Sequence, residues 1–496
     1  MLRGLRALLA SEVVQYAPGR FLPALLAMVG TMIFTRIFTP AQYGILTLVN
    51  GPIGPIVIMA AQGGGQAAQR FYAEFRADGH AVLYDETLSL VWQRFVGLIG
   101  LASGVVVLLW GIYEIGHGPS RIPVLLLAGA AVSVTAQVAV SILTPVLPAR
   151  RKIRAYSLFH VLNSVSALIF PLLLILLLGH HITWMVWGTA LASLVMLPVI
   201  LRLLHSDVRL RCVRHPSSQH REAFQRFIRY GVPMSIWLLG VSIMNSTDRY
   251  IIAWHFGPGP AALYSTNYNI AAQLYTLFSV PMLNAAWPNI LQSWAMTRDP
   301  DLVRHQLHQR TQTYFLVGVG VIGGVAVAGN AAAHLLLGAA FYPGHVVLVP
   351  VMIGYVIWGA AIYGHKGLEI RERNDVMTLL CLIAAALNAV LNLILVPRFG
   401  WAAAAYATCI AYLAYAGLVW WRTRQFVPWD IPWKPLLRYG VVALAGILVV
   451  RGIPSSASFL ATGLVRGLAF CVWYAGCLWV ELRRRPLILQ HDSKRV

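Results

Sequence analysis

The chain has 496 residues, of which 58% are hydrophobic and only 11% are charged, and its formal net charge is +21. A soluble domain has roughly 25% charged residues, so this composition excludes a water-soluble globule. The positive charge falls in short gaps between apolar runs rather than in a basic, aromatic-rich domain. This placement favours membrane lipids over nucleic acid as the partner, and the sequence predicts an all-α integral membrane protein.

Apolar runs long enough to cross a bilayer, which takes about 20 residues, occur fourteen times along the chain. The predicted spans are 21–37, 45–62, 92–113, 122–146, 156–178, 183–204, 231–256, 264–295, 314–337, 346–364, 377–397, 401–421, 438–451 and 459–480.

Basic residues alternate between the two sides of these spans. Of the 38 lysines and arginines, 31 lie in even-numbered gaps, at their adjoining span ends or in the two tails, and four lie at odd-numbered gaps. Positive residues near span ends are retained in the cytoplasm. The distribution therefore predicts a multi-pass protein with both termini in the cytoplasm.

Two predicted spans depart from a plain apolar helix. The second contains glycines and prolines at 51–55 and a Gln-Gly-Gly-Gly run at 62–65. Such an interruption is tolerated where a helix packs on protein or lines a hydrated cavity. The eighth, 264–295, is too long for one straight crossing, and Pro281 and Pro288 indicate a kink or an interfacial extension.

A basic stretch at 205–230 separates two similar parts of the chain. Tyr16 precedes Arg36 by 20 residues in the first part, and Tyr230 precedes Arg249 by 19 in the second. Because each part has six spans, an even number, the similarity predicts a parallel repeat. The predicted domains are an N-terminal lobe at 1–204, a cytoplasmic linker at 205–230, a C-terminal lobe at 231–421, and two added helices with a cytoplasmic tail at 422–496.

Charged side chains are rare within the predicted spans. Asp248 is the one acidic residue of seventeen inside a span, which argues against a cation-coupled exchanger, because such proteins bind Na⁺ or H⁺ with intramembrane carboxylates. An arginine at a helix centre opposes insertion by about 2.5–3.5 kcal/mol, yet a guanidinium presents paired donors to phosphate oxygens. The arginines within or at the ends of spans therefore predict an anionic substrate.

We expect six residues to contact this substrate, including an asparagine whose amide suits sugar hydroxyls. They are Arg249, Asp248, Arg20, Arg36, Arg94 and Asn245. Each arginine has a competing interpretation: a structural pair with Asp248 for Arg249, a marker of the periplasmic span end for Arg36, and snorkelling to the cytoplasmic interface for Arg20 and Arg94.

The sequence contains no catalytic or metal-binding motif. Its five cysteines form no CxxC pair, and its GxG patterns lie in apolar helices rather than strand–turn–helix contexts. We expect His180, His181, His345 and His365 to lack acidic or cysteine partners at a telling spacing. The odd-numbered gaps are too short for the periplasmic loop of a polymerase or ligase. We therefore expect neither an enzyme nor a cofactor or metal.

Four segments carry a resemblance to a known family. They are TRIFTPAQYG, GVP with STDRYIIAWHFG, LYSTNYNIAAQL and LNAVLNLILVPRFGWAAAAYAT. In their order and spacing, over most of residues 10–425, the chain resembles bacterial polysaccharide flippases of the multidrug/oligosaccharidyl-lipid/polysaccharide exporter superfamily. Only the Asp248-Arg249 pair corresponds to a family motif.

The resemblance implies two six-helix lobes around a central cavity, with the last two helices outside. It also implies the function: transfer of undecaprenyl-pyrophosphate-linked oligosaccharides across the bacterial inner membrane by alternating access, for surface polysaccharide. The expected partners are the lipid-linked oligosaccharide, membrane lipids and the polysaccharide polymerase machinery. A multidrug/cation antiporter and a lipid II flippase of the same superfamily are the alternatives.

Overall fold

The structure is a computed structural model that describes residues 18–118, 120, 122–205, 210–211, 213, 216–371, 373–453 and 459–484. Within these residues it contains fourteen long helices and no strand, which confirms the all-α prediction. The helices are α1 Pro18–Ile37, α2 Pro40–Ala77, α3 Ala81–His117, α4 Val124–Ala149, α5 Ile153–Leu178, α6 Ile182–His205, α7 Ser218–Phe256, α8 Pro258–Thr297, α9 Pro300–Leu336, α10 Ala339–Ile370, α11 Asn374–Phe399, α12 Ala403–Thr423, α13 Trp433–Arg451 and α14 Phe459–Arg484.

Twelve of these helices are long and apolar enough to cross a membrane. The other two are α1, whose apolar part Phe21–Ile37 is shorter, and α8, which is long but less apolar. Several helices continue well beyond the predicted spans, as α7 does from residue 231 back to Ser218. The eighth span is one uninterrupted helix of 40 residues that includes both Pro281 and Pro288.

Local sequence explains where the second helix begins. Thr39 caps α2, because its hydroxyl accepts a hydrogen bond from the Gln42 backbone N–H at 3.4 Å. The Gln42 side chain accepts one in return from the Thr39 N–H at 3.1 Å. Pro40 occupies the first helical turn, where a missing N–H costs nothing. The Thr-Pro-Ala-Gln sequence therefore turns the chain back into the membrane directly after α1.

By their internal contacts the residues form two compact units, 1–262 and 263–496. In the first, α3 packs on α4, α4 on α6 and α5 on α6. In the second, α9 packs on α10, α10 on α12 and α11 on α12, while α13 and α14 pack on α9. The helix pairing thus repeats with an offset of six helices. Contacts place α7 in the first unit, and the lobe boundaries inferred from the sequence repeat stay a prediction.

The interruption in the second span is a π-helical turn at Ala61–Gln66 whose three glycines are buried. It packs on α7: a Cβ added to Gly231 would lie 1.8 Å from the Gly63 carbonyl oxygen. One turn later, the Ser235 hydroxyl donates to the Met59 carbonyl at 3.0 Å. Of the two interpretations of this interruption, packing on protein is therefore the one that the structure supports.

Candidate functional site

The charged pair Asp248 and Arg249 lies near the C-terminal end of α7. The Asp248 side chain is completely buried, and its Oδ1 accepts a hydrogen bond from the Arg249 backbone N–H at 2.9 Å. Arg249 is half-buried. Burial of a carboxylate beside a guanidinium inside an apolar helix requires compensating polar groups, so the surroundings of this pair define the site.

Two tyrosines lie close enough to Arg249 to interact with its charge. One is its neighbour Tyr250, and the other is Tyr43 on α2. The buried Tyr43 hydroxyl is also hydrogen-bonded to Thr31 on α1. Tyr43 therefore connects the Arg249 guanidinium of α7 with Thr31 of α1, and we call Thr31, Tyr43, Asp248 and Arg249 the arginine centre.

Small residues on α2 allow this approach. A Cβ on Gly44 would lie 1.9 Å from the Pro258 carbonyl oxygen, and one on Gly51 would lie 2.2 Å from the Tyr250 hydroxyl. That hydroxyl donates to the Leu48 carbonyl at 3.1 Å. Glycine at these two positions lets the end of α7 and the start of α8 contact α2 directly.

Asn245 lies four residues before Arg249 on the same helix and is half-buried. Residues three and four apart share one face of an α-helix, so Asn245, Asp248 and Arg249 lie on the same side of α7. This arrangement adds a donor and an acceptor to the polar groups beside the guanidinium.

Two other predicted arginines, Arg36 and Arg20, lie on α1. Arg36 is exposed, and its Nη1 donates to the Met32 carbonyl one turn earlier at 2.7 Å. Arg20 lies in α1, and its side chain is outside the described part of the structure.

The structure does not bring Arg94 to the arginine centre. Arg94 lines a separate cavity together with Arg221, near the start of α7. Arg221 and Arg249 are 28 residues apart in one continuous helix, which corresponds to about 42 Å at 1.5 Å per residue. Arg94 and Arg249 therefore lie toward opposite ends of the first unit, in agreement with the competing interpretation of Arg94 as an interfacial residue.

Sequence reasoning missed the two tyrosines that interact with Arg249 and the threonine that is hydrogen-bonded to one of them. Thr31, Tyr43 and Tyr250 were not among the predicted contacts, although Tyr43 belongs to the TPAQYG segment and Tyr250 directly follows Arg249. It was also wrong about His365, whose Nε2 lies 3.2 Å from Glu369 Oε1 at a spacing of four residues. The helical i, i+4 spacing was the available signal. Across the described ranges, no group of three or more His, Cys, Asp or Glu side chains is arranged to hold a metal ion.

Solved structures of membrane transporters share this fold. The lipid II flippase MurJ in an inward closed conformation has a TM-score of 0.76 at 14% identity, covering 95% of this chain and 99% of that one. An inward-facing multidrug resistance MATE family transporter of the MOP superfamily has a TM-score of 0.68 at 15% identity, covering 84% and 98%. A MOP superfamily transporter from Pyrococcus furiosus has a TM-score of 0.58 at 14% identity, covering 84% and 95%.

These solved relatives are a flippase and transporters rather than catalysts, as the absence of enzyme motifs led us to expect. At such low identities they establish the fold, which is that of the MOP superfamily. No curated protein matches the chain. Residues 11–294, more than half of the chain, match the family described as polysaccharide biosynthesis protein, and the chain belongs to that family.

Proposed function

We propose that this protein is a flippase that moves undecaprenyl-pyrophosphate-linked oligosaccharide across the bacterial inner membrane by alternating access. The observation that carries the proposal is the arginine centre: a guanidinium inside an apolar helix, beside the buried Asp248 carboxylate and within reach of the Tyr43 hydroxyl of α2, which is itself hydrogen-bonded to Thr31 of α1. Membership of the polysaccharide biosynthesis family supports a glycan-bearing substrate. The fold shared with a lipid II flippase supports transfer of a lipid-linked one.

Each part of the substrate has a matching feature in this proposal. Arg249 binds diphosphate oxygens through paired N–H donors. Asn245 and Tyr43 offer donors and acceptors for sugar hydroxyls. The polyprenyl chain stays in the lipid, which spares the protein the cost of enclosing it. Arg20 and Arg36 remain proposed contacts on α1, and the polymerase machinery remains a proposed partner.

The proposal is tested by complementation of a strain that lacks this gene. We expect Arg249→Ala to reduce surface polysaccharide at least tenfold while the protein inserts at normal levels, since charged hydrogen bonds contribute about 1.5–3 kcal/mol each. Arg249→Lys should restore part of the product, because lysine keeps the charge but lacks the paired donors. The control is Arg202→Ala, an exposed arginine at the end of α6. Normal polysaccharide with a well-expressed Arg249→Ala protein would contradict the proposal.

A lipid II flippase is a second candidate, because the MurJ structure covers 95% of the chain. Rescue of a strain depleted of its own lipid II flippase separates the two substrates. If this protein restores growth of the depleted strain as efficiently as it restores surface polysaccharide, lipid II becomes the better candidate for its substrate.

A multidrug/cation antiporter has the same fold, and the solved MATE transporters make it a third candidate. Glu369, near the C-terminal end of α10, is one of several acids in the candidate membrane-crossing helices. Both its oxygens accept hydrogen bonds from Lys366 Nζ at 2.7 Å, so an internal cation already occupies this carboxylate. Drug resistance that requires Glu369 and an ion gradient would favour the antiporter.

A further inference from the structure

The cavity that contains Arg94 has the features of a second binding site, separate from the arginine centre. It is an open cleft of about 640 Å³ between α3 and the first turns of α7, within the first unit, and Arg94 and Arg221 are both exposed in it. Leu90 and Arg94 line it from α3, and Arg221, Phe224 and Gln225 line it from α7. Both sets follow the i, i+3 and i+4 spacing of one helix face, so each helix turns a coherent face toward the cavity.

Hydrogen bonds hold the walls of this cavity together. The linker residue Arg211 donates its backbone N–H to the Ser89 hydroxyl at 3.0 Å, and its carbonyl accepts from Gln93 Nε2 at 2.9 Å. His220 Nε2 lies 2.7 Å from Glu86 Oε2. These contacts fix the linker and the start of α7 to α3 on either side of Leu90 and Arg94, so the cavity is preformed.

The charge of the cavity is positive. Arg94 and Arg221 contribute two guanidinium groups, and among the described residues that line the cavity none is acidic. Neither arginine forms an ion pair with any carboxylate in the described part of the chain. Two guanidinium groups in a preformed cavity match the oxygens of a phosphate group.

Beside the cavity, α3 turns an apolar face outward. Leu98 and Leu101 follow Arg94 at the i+4 and i+7 positions of the same face, and they are 65% and 70% exposed. Large aliphatic side chains exposed at this level on a membrane helix suit acyl chains rather than water. A phosphate held by Arg94 and Arg221 would therefore sit at the head of a lipid whose chains run along Leu98 and Leu101.

We infer that this cavity binds the headgroup of an anionic phospholipid in the leaflet at the linker end of the protein. In the predicted topology this end faces the cytoplasm, where anionic lipids create a negative surface potential. The apolar face beside the cavity selects a lipid over a soluble phosphate ester, and the two guanidinium groups select a net-negative headgroup over a zwitterionic one. This inference is independent of the identity of the transported substrate.

Thermal unfolding of the purified full-length protein in detergent tests the inference. We expect phosphatidylglycerol to raise Tm of the wild type and of the control Arg202→Gln, whereas phosphatidylcholine and glycerol 3-phosphate leave Tm unchanged. The double variant Arg94→Gln/Arg221→Gln should bind phosphatidylglycerol at least about tenfold more weakly, since it loses two charged donors. An undiminished response of the double variant, or an equal response to phosphatidylcholine or to glycerol 3-phosphate, would overturn it.

A measurement on the unmodified protein keeps the inference testable if the double variant does not fold. A photoreactive phosphatidylglycerol analogue is crosslinked to the wild-type protein, and the labelled peptides are identified by mass spectrometry. Labelling concentrated at residues 84–101 and 216–226 supports the site, and labelling that avoids both segments contradicts it.

Discussion

Tyr43 links the charged pair of α7 to two other helices. Its ring is buried on α2, and its hydroxyl is hydrogen-bonded to Thr31 and faces the Arg249 charge. A half-buried guanidinium has lost part of its hydration, and oriented dipoles beside it replace some of those hydrogen bonds. The tyrosine hydroxyl is one such dipole, and it makes Tyr43 a positioning residue for Arg249.

We expect Tyr43→Phe to lower surface polysaccharide several-fold while protein abundance in the membrane stays near normal. The ring keeps its packing, and the lost hydroxyl removes a hydrogen bond that contributes about 1 kcal/mol. Complementation assays paired with immunoblots of membranes measure both quantities. The matched control is Tyr406→Phe, since Tyr406 is 59% exposed on α12. Equal amounts of polysaccharide from the two variants would show that the Tyr43 hydroxyl has no role in function.

Part of this site is visible in the sequence and part is not. Asp248 and Arg249 are conspicuous as charges inside an apolar run, and Asn245 follows from helical spacing. Tyr43 and Thr31 lie some 200 residues away along the chain, and helix packing rather than any local pattern brings them to Arg249. In the sequence, Arg94 looks equivalent to Arg249, because both are arginines inside a span. In the structure Arg94 lies beside Arg221 at the start of α7, far from Arg249 near the end of that helix.

At the level of elements, α2 depends on a close backbone approach to the start of α8. Gly44 has no room for a Cβ, because the Pro258 carbonyl oxygen would lie 1.9 Å away. A Cβ added to Gly54, ten residues further along the same helix, would meet no atom of a neighbouring helix within 4 Å. The two glycines therefore offer a matched pair for one substitution.

We expect Gly44→Ala to destabilise the protein by about 1–3 kcal/mol, the usual cost of forcing an atom into a filled space. Gly54→Ala should be neutral or stabilising by up to about 1 kcal/mol, because alanine favours the helix. Tm of the purified variants, read from fluorescence on heating, checks the contrast. A Gly44→Ala protein as stable as Gly54→Ala would show that α2 is not packed on the start of α8 as described.

A polar cluster occupies the end of α10 in the second unit. His365 is 1% exposed, its Nδ1 lies 2.9 Å from the Tyr415 hydroxyl, and its Nε2 contacts Glu369. Lys366 donates to both Glu369 oxygens and lies 4.2 Å from the centre of the Trp287 ring. Glu369 thus contacts both Lys366 and His365 on its own helix. His365 in turn contacts Tyr415, which connects the cluster to α12.

Glu369→Gln should lower stability by about 2 kcal/mol, since it leaves Lys366 without its charged acceptor in a partly buried site. The comparison variant is Glu222→Gln, an exposed acid whose replacement should change stability by less than about 0.5 kcal/mol. Thermal unfolding in one detergent measures the two together. Equal Tm values would mean that the cluster contributes nothing to the second unit.

For the molecule as a whole, hydropathy predicted the number of long helices but not their ends. Helix α7 has 39 residues, whereas the predicted span covers only 231–256. Apolar composition marks the part of a helix that lies in hydrocarbon, and hydrogen bonding continues the helix into the aqueous region. The glycine run of α2 predicted an interruption but not a π-helical turn, since its packing partner Gly231 lies far along the chain.

The flippase proposal and the lipid-headgroup inference both assume the same orientation of the chain in the membrane, with its two termini in the cytoplasm. We expect alkaline phosphatase fused after Gly179, in the turn between α5 and α6, to be active, and green fluorescent protein fused after Val496 to fluoresce. The physical reason is the retention of basic residues in the cytoplasm, with four of 38 at the opposite side. Enzyme activity and fluorescence in whole cells, normalised to fusion protein abundance, provide the measurement.

Active phosphatase from a fusion in the 424–432 gap, together with a dark C-terminal fusion, would contradict this orientation. The arginine centre lies near the turns at residues 37–40 and 256–258, and the Arg94–Arg221 cavity lies at the other end of α7. Inverting the chain would move the centre to the cytoplasmic end and the cavity to the periplasmic leaflet. The cavity would then lose the negative surface potential that favours an anionic headgroup, so the same fusions test the topology and the leaflet assignment together.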